Sequence, residues 1–220
     1  MSLTPSKKNL NPDKKYIGVF CSADDKISNY YKQEAFKLGE LLATSNHNLL
    51  TGGSKTGLMK EVVDGFVTTS SQDNIVGVLP NVQKGLDICH PSIKETNLFW
   101  CESMHLRLAK FHELCEGVIV LPGGFGTLHE LLDFLVSKQI QVSKVPIIIV
   151  NINGYWDHFF DLANSMIKAK ALAPQHLKFF RVVYKVEDAV PMLLVSVTSQ
   201  GLTDRYWEIS CTSNSDEYIL

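Results

Sequence analysis

A chain of 220 residues with 45% apolar residues, 20% charged residues and a formal net charge of -2 can bury a sizeable core without disulfide or metal staples. That balance excludes a global basic field of the kind that draws in a polynucleotide, and no stretch offers the ~20 apolar residues a membrane-spanning helix needs. Five scattered cysteines (Cys21, Cys89, Cys101, Cys115 and Cys211) lack CxxC or zinc-ligand spacing and read as reduced thiols. The polar start "MSLTPSKKNLNPDKK" has no secretory apolar core, so a cytoplasmic protein with no membrane or nucleic-acid partner is expected.

In chain order, a polar segment at 1–15 precedes "YIGVFC" (16–21), the first of several short apolar runs rich in β-branched residues. The others are "NLLT" (48–51), "IVGVL" (75–79), "NLFW" (97–100), "GVIVL" (117–121), "PIIIVN" (146–151) and "RVVY" (181–184). Most lack the alternation of a half-exposed strand and read as strands covered on both faces. Segments of helical period fill the gaps at 29–44, 57–69, 104–115, 127–141, 155–169 and 187–196. This alternation predicts an α/β fold, a Rossmann-like, doubly wound, mostly parallel sheet with helices on both faces, as a single domain over 16–197. Residues 198–220 form a polar tail with isolated aromatics.

Such sheets bind ligands outside the carboxyl ends of the strands, at a switch in strand order. Three loops leave strand ends there: "CSADD", "TGGSKTG" and "PGGFGT". The first offers Cys21 and Ser22 to the expected crevice. The second, with Gly52 and Gly53, repeats a strand, glycine turn and helix, but Leu58 and Met59 follow Gly57 where a Walker loop needs Lys and Ser/Thr. In the third, Gly123, Gly124 and Gly126 permit close backbone approaches before Thr127 opens a helix, whose first amides could seat a phosphate. Thr127 and Glu130 also have the T-x-x-E spacing of a capping box, so capping, a plain tight turn and an anion seat all fit this stretch.

On "MHLRLAKFHELC", Met104, Leu108, Phe111, Leu114 and Cys115 form one apolar stripe, and Arg107 falls within it. A guanidinium on that face needs partners: it can grip a phosphate or carboxylate, pair with a structural acid, or snorkel to the rim. Helix 127–141 is apolar around most of its circumference, which suggests a dimer interface. His105, His112, His129, His158 and His176 share no metal-binding spacing, and no GxSxG pattern supports acyl transfer.

Taken together, "GVFCSADD", "LLTGGSKTGLMKEVVDGF", "NIVGVLP", "SMHLRLAKFHELCEGVIVLPGGFGTLHELLDFL" and "VPIIIVNINGYWDHF" resemble the LONELY GUY (LOG) family from Tyr16 to Val190. The specific pair is PGGxGTxxE preceded by MHxR. The resemblance implies a homodimeric Rossmann-like hydrolase of the N-glycosidic bond in adenine-type nucleoside 5'-monophosphates, cytokinin riboside or AMP-like, giving free base and ribose 5-phosphate. It implies catalytic roles for Arg107 and Glu130, and substrate or phosphate contacts from Ser22, Gly52, Gly53, Met104, Gly123, Gly124, Gly126 and Thr127. No metal or organic cofactor is required. Leu108 stands where the family usually has lysine, and Val136 where threonine is usual. These departures favour the alternative of a non-catalytic nucleotide carrier or sensor. The acidic residue usual before MHxR is not evident, leaving Asp87 or Glu95 in its place.

Overall fold

The computed structural model describes residues 16–199; segment 1–15 and the tail from residue 200 onward lie outside the described residues. Seven strands, β1 (Tyr16–Phe20), β2 (Asn48–Thr51), β3 (Ile75–Pro80), β4 (Leu98–Cys101), β5 (Cys115–Val120), β6 (Ile147–Val150) and β7 (Arg181–Val183), form one sheet. All neighbours pair in parallel, in the order β4-β3-β2-β1-β5-β6-β7. Between them run α1 (Asn29–Ala43), α2 (Gly57–Val67), α3 (Met104–Leu114), α4 (Phe125–Gln139), α5 (Asp157–Lys168) and the closing α6 (Val186–Ser199). Among the described residues no helix is long and apolar enough to cross a membrane.

The sheet is parallel because its strands are apolar on both faces. Ile17 and Val19 of β1 pack into a cluster with Leu38 and Leu42 of α1, Val62 and Phe66 of α2, and Leu193 of α6. Tyr16 and Phe20 point the other way, into a cluster with Phe111 of α3 and Leu131 and Phe134 of α4, and Phe159 of α5 packs against it. Alternate side chains thus serve two cores, each fully buried residue contributing about 1.5–3 kcal/mol. An amphipathic strand could not do this.

From β1 the chain winds outward through β2, β3 and β4, then returns to β5 on the opposite side of β1. Register pairs Gly18 with Val118 and Phe20 with Val120, so the loops after β1 and β5 leave the sheet side by side. Two backbone bonds, Leu121 N to Phe20 O and Ser22 N to Pro122 O, both 3.0 Å, tie these exits together. This is the switch point, and the fold places the crevice above it.

Element boundaries moved where backbone chemistry overrode hydrophobic period. α4 starts at Phe125, two residues before the expected Thr127, because Gly124 takes the cap position at φ -92° and ψ -152°. α5 starts at Asp157 instead of 155, since Trp156, at φ -95° and ψ 3° with its N–H donated to the Asn151 side chain at 2.8 Å, takes the cap position. α6 runs to Ser199, past the expected end at 196 and the expected domain limit at 197.

Candidate functional site

A cleft of about 560 Å³ opens at the switch point, within the usual range of small-molecule sites. The three loops singled out from the sequence all reach it. Cys21, Ser22 and Asp24 contribute from the first, Gly52, Ser54 and Thr56 from the second, and Gly124, Gly126 and Thr127 from the third. Arg107 and Glu130 lie on its wall, as does Met104, which is 40% exposed and so belongs to the cleft rather than to the core stripe of α3. Leu79, Pro80 and Gln83 at the end of β3, with Met59 and Ile88, close the far side. Sequence reading missed these five. The only signal was that "VLP" ends a strand on the same edge as the glycine loops.

The two glycine loops turn out to differ. At the start of α2, Leu58 N and Met59 N donate to Ser22 O at 2.8 and 3.2 Å, and Gly57 N donates to the Asp25 carboxylate at 2.8 Å. Thr56 Oγ1 adds a bond to Ala23 O at 2.7 Å. The first loop therefore occupies the amides of α2, whose start is a clamp for the first loop, while Gly52, Ser54 and Thr56 remain on the cleft wall. Gly57 is required there, at φ +62° with an added Cβ only 2.7 Å from Ser22 O. Gly57→Ala is expected to destabilise the protein by roughly 2–4 kcal/mol, from left-handed strain plus overpacking against backbone. An unchanged chemical denaturation midpoint would contradict this clamp.

At α4 the situation is reversed. No side chain caps the helix, so the amides of its first turn and the positive end of its dipole face the cleft beside Gly124, Gly126 and Thr127. The capping-box reading is corrected: Thr127 is the third helical residue, and Glu130 lies a turn inside the helix, bonded to Arg107. Thr127 is 3% exposed and its side chain covers Gly123, where any Cβ would collide with it.

Arg107 is 7% exposed and Glu130 2%. Arg107 Nη1 lies 2.7 Å from Glu130 Oε1, Nε donates to Val78 O at 2.9 Å, and the guanidinium carbon stands 4.8 Å from the centre of the Phe111 ring. Nη2 faces Gly52, since a Cβ there would lie 3.0 Å from it. Two of the arginine's nitrogens are thus tied, and the third, Nη2, lies beside Gly52 of the cleft wall. Burial pushes the Glu130 carboxyl above its usual range, and Arg107 beside it pulls it partway back. Cys21, also on the wall, is held as a neutral thiol by burial and by the nearby Glu130.

Several residues named from the sequence lie off the wall. Gly53 is buried and its carbonyl accepts from His90 N at 3.0 Å; Gly123 is buried behind Thr127. Leu108 is 5% exposed in the interior and Val136 is 52% exposed on the outer face of α4, so neither touches the cleft. Asp87 is an exposed partner of Lys55, and Glu95 sits in a surface turn; neither supplies an acid to the cleft.

A parallel sheet whose switch-point crevice pairs an uncapped helix start with a buried Arg–Glu couple defines the class of Rossmann-like proteins that bind small ligands at strand ends. The solved structures agree on the fold: the molybdenum cofactor carrier protein of Chlamydomonas reinhardtii superposes with a TM-score of 0.61 at 18% identity over 84% of this chain and 99% of that one. The molybdenum cofactor binding protein of Rippkaea orientalis gives 0.58 at 18% identity, covering 83% and 96%. The sequence profile described as "Possible lysine decarboxylase" matches residues 59–193. Cytokinin riboside 5'-monophosphate phosphoribohydrolase LOG1 of Arabidopsis thaliana is 30% identical over 186 residues, 80% of this chain and 84% of that protein. The probable cytokinin riboside 5'-monophosphate phosphoribohydrolase LOGL9 of Oryza sativa subsp. japonica is 26% identical over 183 residues, 80% and 79%. The chain belongs to the LOG family, whose relatives named here are phosphoribohydrolases.

Proposed function

We propose that this protein hydrolyses the N-glycosidic bond of an adenine-type nucleoside 5'-monophosphate, releasing free base and ribose 5-phosphate. The observation that carries this reading is the buried Arg107–Glu130 pair on the wall of a cleft that also holds the open start of α4. The 5'-phosphate sits on the amides of Gly124, Gly126 and Thr127, with Ser22 beside it. Strand order then orients the rest of the substrate. The α4 start follows β5, and Leu79 near the end of β3 and Gln83 just after it lie three strand spacings away. At ~4.8 Å per spacing that is roughly 14 Å, enough for a nucleotide laid across β1 and β2. The base thus lies against Met59, Leu79 and Ile88, with the Gln83 amide able to meet a purine edge.

Cleaving the ribosyl C–N bond builds positive charge on the sugar and negative charge on the base. Glu130 Oε1 is held by Arg107, leaving Oε2 to orient water and ribose hydroxyls and to offset the cationic charge. Arg107 Nη2 orients the substrate or steadies the departing base. Water supplies hydroxide to the anomeric carbon and a proton to the base, so the sum is one nucleotide plus one water to two products.

Pyridoxal-dependent decarboxylation, suggested by the profile's description, needs a lysine to form the Schiff base, and no described residue lining the cleft is a lysine. The carrier reading draws on Leu108 and Val136, neither of which lines the cleft of the single chain. Chromatographic detection of free base after incubation with AMP and with isopentenyladenosine monophosphate tests the proposal, with Arg107→Ala as the blank. Nucleotide binding without base release would favour the carrier.

The same reading includes a homodimer. Leu132 and Val136 of α4 and Ile140 at its C-terminal cap stand at four-residue intervals with 47%, 52% and 62% exposure, and Leu106 of α3 adds 47%. An apolar stripe of this kind on neighbouring helices marks an association surface. Light scattering after size exclusion is expected to give twice the 24.6 kDa chain mass, and Val136→Glu to give the single chain. A monomeric native protein would refute it.

A further inference from the structure

Against the third glycine loop, off the cleft wall, stands a tyrosine that the proposed chemistry does not use. Tyr155 Oη donates to Gly123 O at 2.9 Å across 32 positions of sequence, and Tyr155 is not on the cleft wall. The segment that carries it is unusually constrained. Asn153 and Gly154 adopt left-handed φ of 51° and 70°. Asn151, 2% exposed, accepts from Trp156 N at 2.8 Å and donates to the Asp157 carboxylate at 2.7 Å, bracketing Tyr155. The Tyr155 ring is wedged edge-on between Tyr31, 5.7 Å away, and Trp156, 5.1 Å away. Asn and Gly are the residue types that adopt this backbone most readily, so residue type and the Asn151 hydrogen bonds together fix the turn.

We propose that Tyr155 is a positioning residue for the anion seat, acting through the peptide between Gly123 and Gly124. In a trans peptide the carbonyl oxygen and the amide hydrogen point in opposite directions. A hydroxyl off the cleft wall that holds the Gly123 carbonyl therefore turns the Gly124 amide toward the cleft. Glycine needs such a hold, because with no Cβ at 123 or 124 this peptide could rotate at little cost. Thr127 fixes the Gly123 Cα from the helix side, and Tyr155 fixes the carbonyl. The seat is thereby preorganised before any phosphate arrives, which lowers the ordering cost of binding. The inference rests on the phosphate placement proposed above and adds what orients it.

The test compares wild type with Tyr155→Phe, which removes one hydroxyl and keeps the ring packing. Ribose 5-phosphate and adenosine are titrated separately by calorimetry, and KM and kcat for AMP are measured in parallel. Ribose 5-phosphate affinity is expected to fall about 3- to 10-fold, the usual worth of one hydrogen bond, with adenosine affinity unchanged. KM for AMP should rise by the same factor while kcat stays within about 2-fold. Equal weakening of ribose 5-phosphate and adenosine would mean a general loosening of the site and overturn the inference, as would unchanged ribose 5-phosphate binding. Failure of wild type itself to bind ribose 5-phosphate would instead overturn the phosphate placement, and this inference with it.

Discussion

Replacing Glu130 with glutamine is expected to reduce base release by roughly 10²–10³-fold, the scale seen when a single charge-stabilising group is removed from a preorganised site. Glutamine keeps the size and an oxygen acceptor for Arg107 Nη1, so the geometry at 2.7 Å survives while the negative charge is lost. What disappears is the carboxylate that offsets charge on the ribose as its C–N bond opens. Because burial raises the Glu130 carboxyl above its usual range, the acid limb of the wild-type rate profile should lie above the range of an exposed carboxylate. Activity is carried by the ionised form, so it is retained above the raised value and lost as pH falls through it. Steady-state rates across pH for wild type and Glu130→Gln check both points. Turnover unchanged in the variant would remove Glu130 from the mechanism.

Arg107→Ala should cost both activity and stability. The change leaves the Glu130 carboxylate buried without its cation and Val78 O without its donor. Breaking one half of a buried pair typically costs 3–5 kcal/mol, since the remaining charge keeps its desolvation penalty. A fall of about that size in unfolding free energy by denaturant titration is expected, together with loss of base release. Removing both partners separates the two effects: Arg107→Met with Glu130→Leu should recover most of the stability and none of the activity. Recovery of turnover in the double variant would show that the pair is structural only.

Neither residue owes its position to a local rule. Arg107 was conspicuous in the sequence because a guanidinium occupied the apolar face of α3, and the structure supplies the reason, a carboxylate two elements later in the chain. Glu130, by contrast, had a sufficient local explanation as the partner of Thr127 in a capping box. That explanation failed because Gly124 let α4 begin two residues early, which carried Glu130 past the cap position and into the interior. The second glycine loop repeats the strand, glycine turn and helix of the third and also reaches the cleft, but the first loop takes the amides of its helix. Gln83 and Ile88 lie outside every motif, and Met59, Leu79 and Pro80 lie in motif stretches that name no ligand contact; the order of strands brings all five to one cleft.

The sequence by itself determined the seven strands, the α/β layering and the three loops that meet at one edge, because strand burial on both faces and glycine turns are written in residue type and period. It also carried the motif pair that marks the family. Only the tertiary structure decided which helix start stayed open, which partner met Arg107, and that Tyr155 reaches Gly123. Those contacts join residues far apart in the chain, and the choice among competing acceptors for one amide or one guanidinium is settled by where the folded backbone places them.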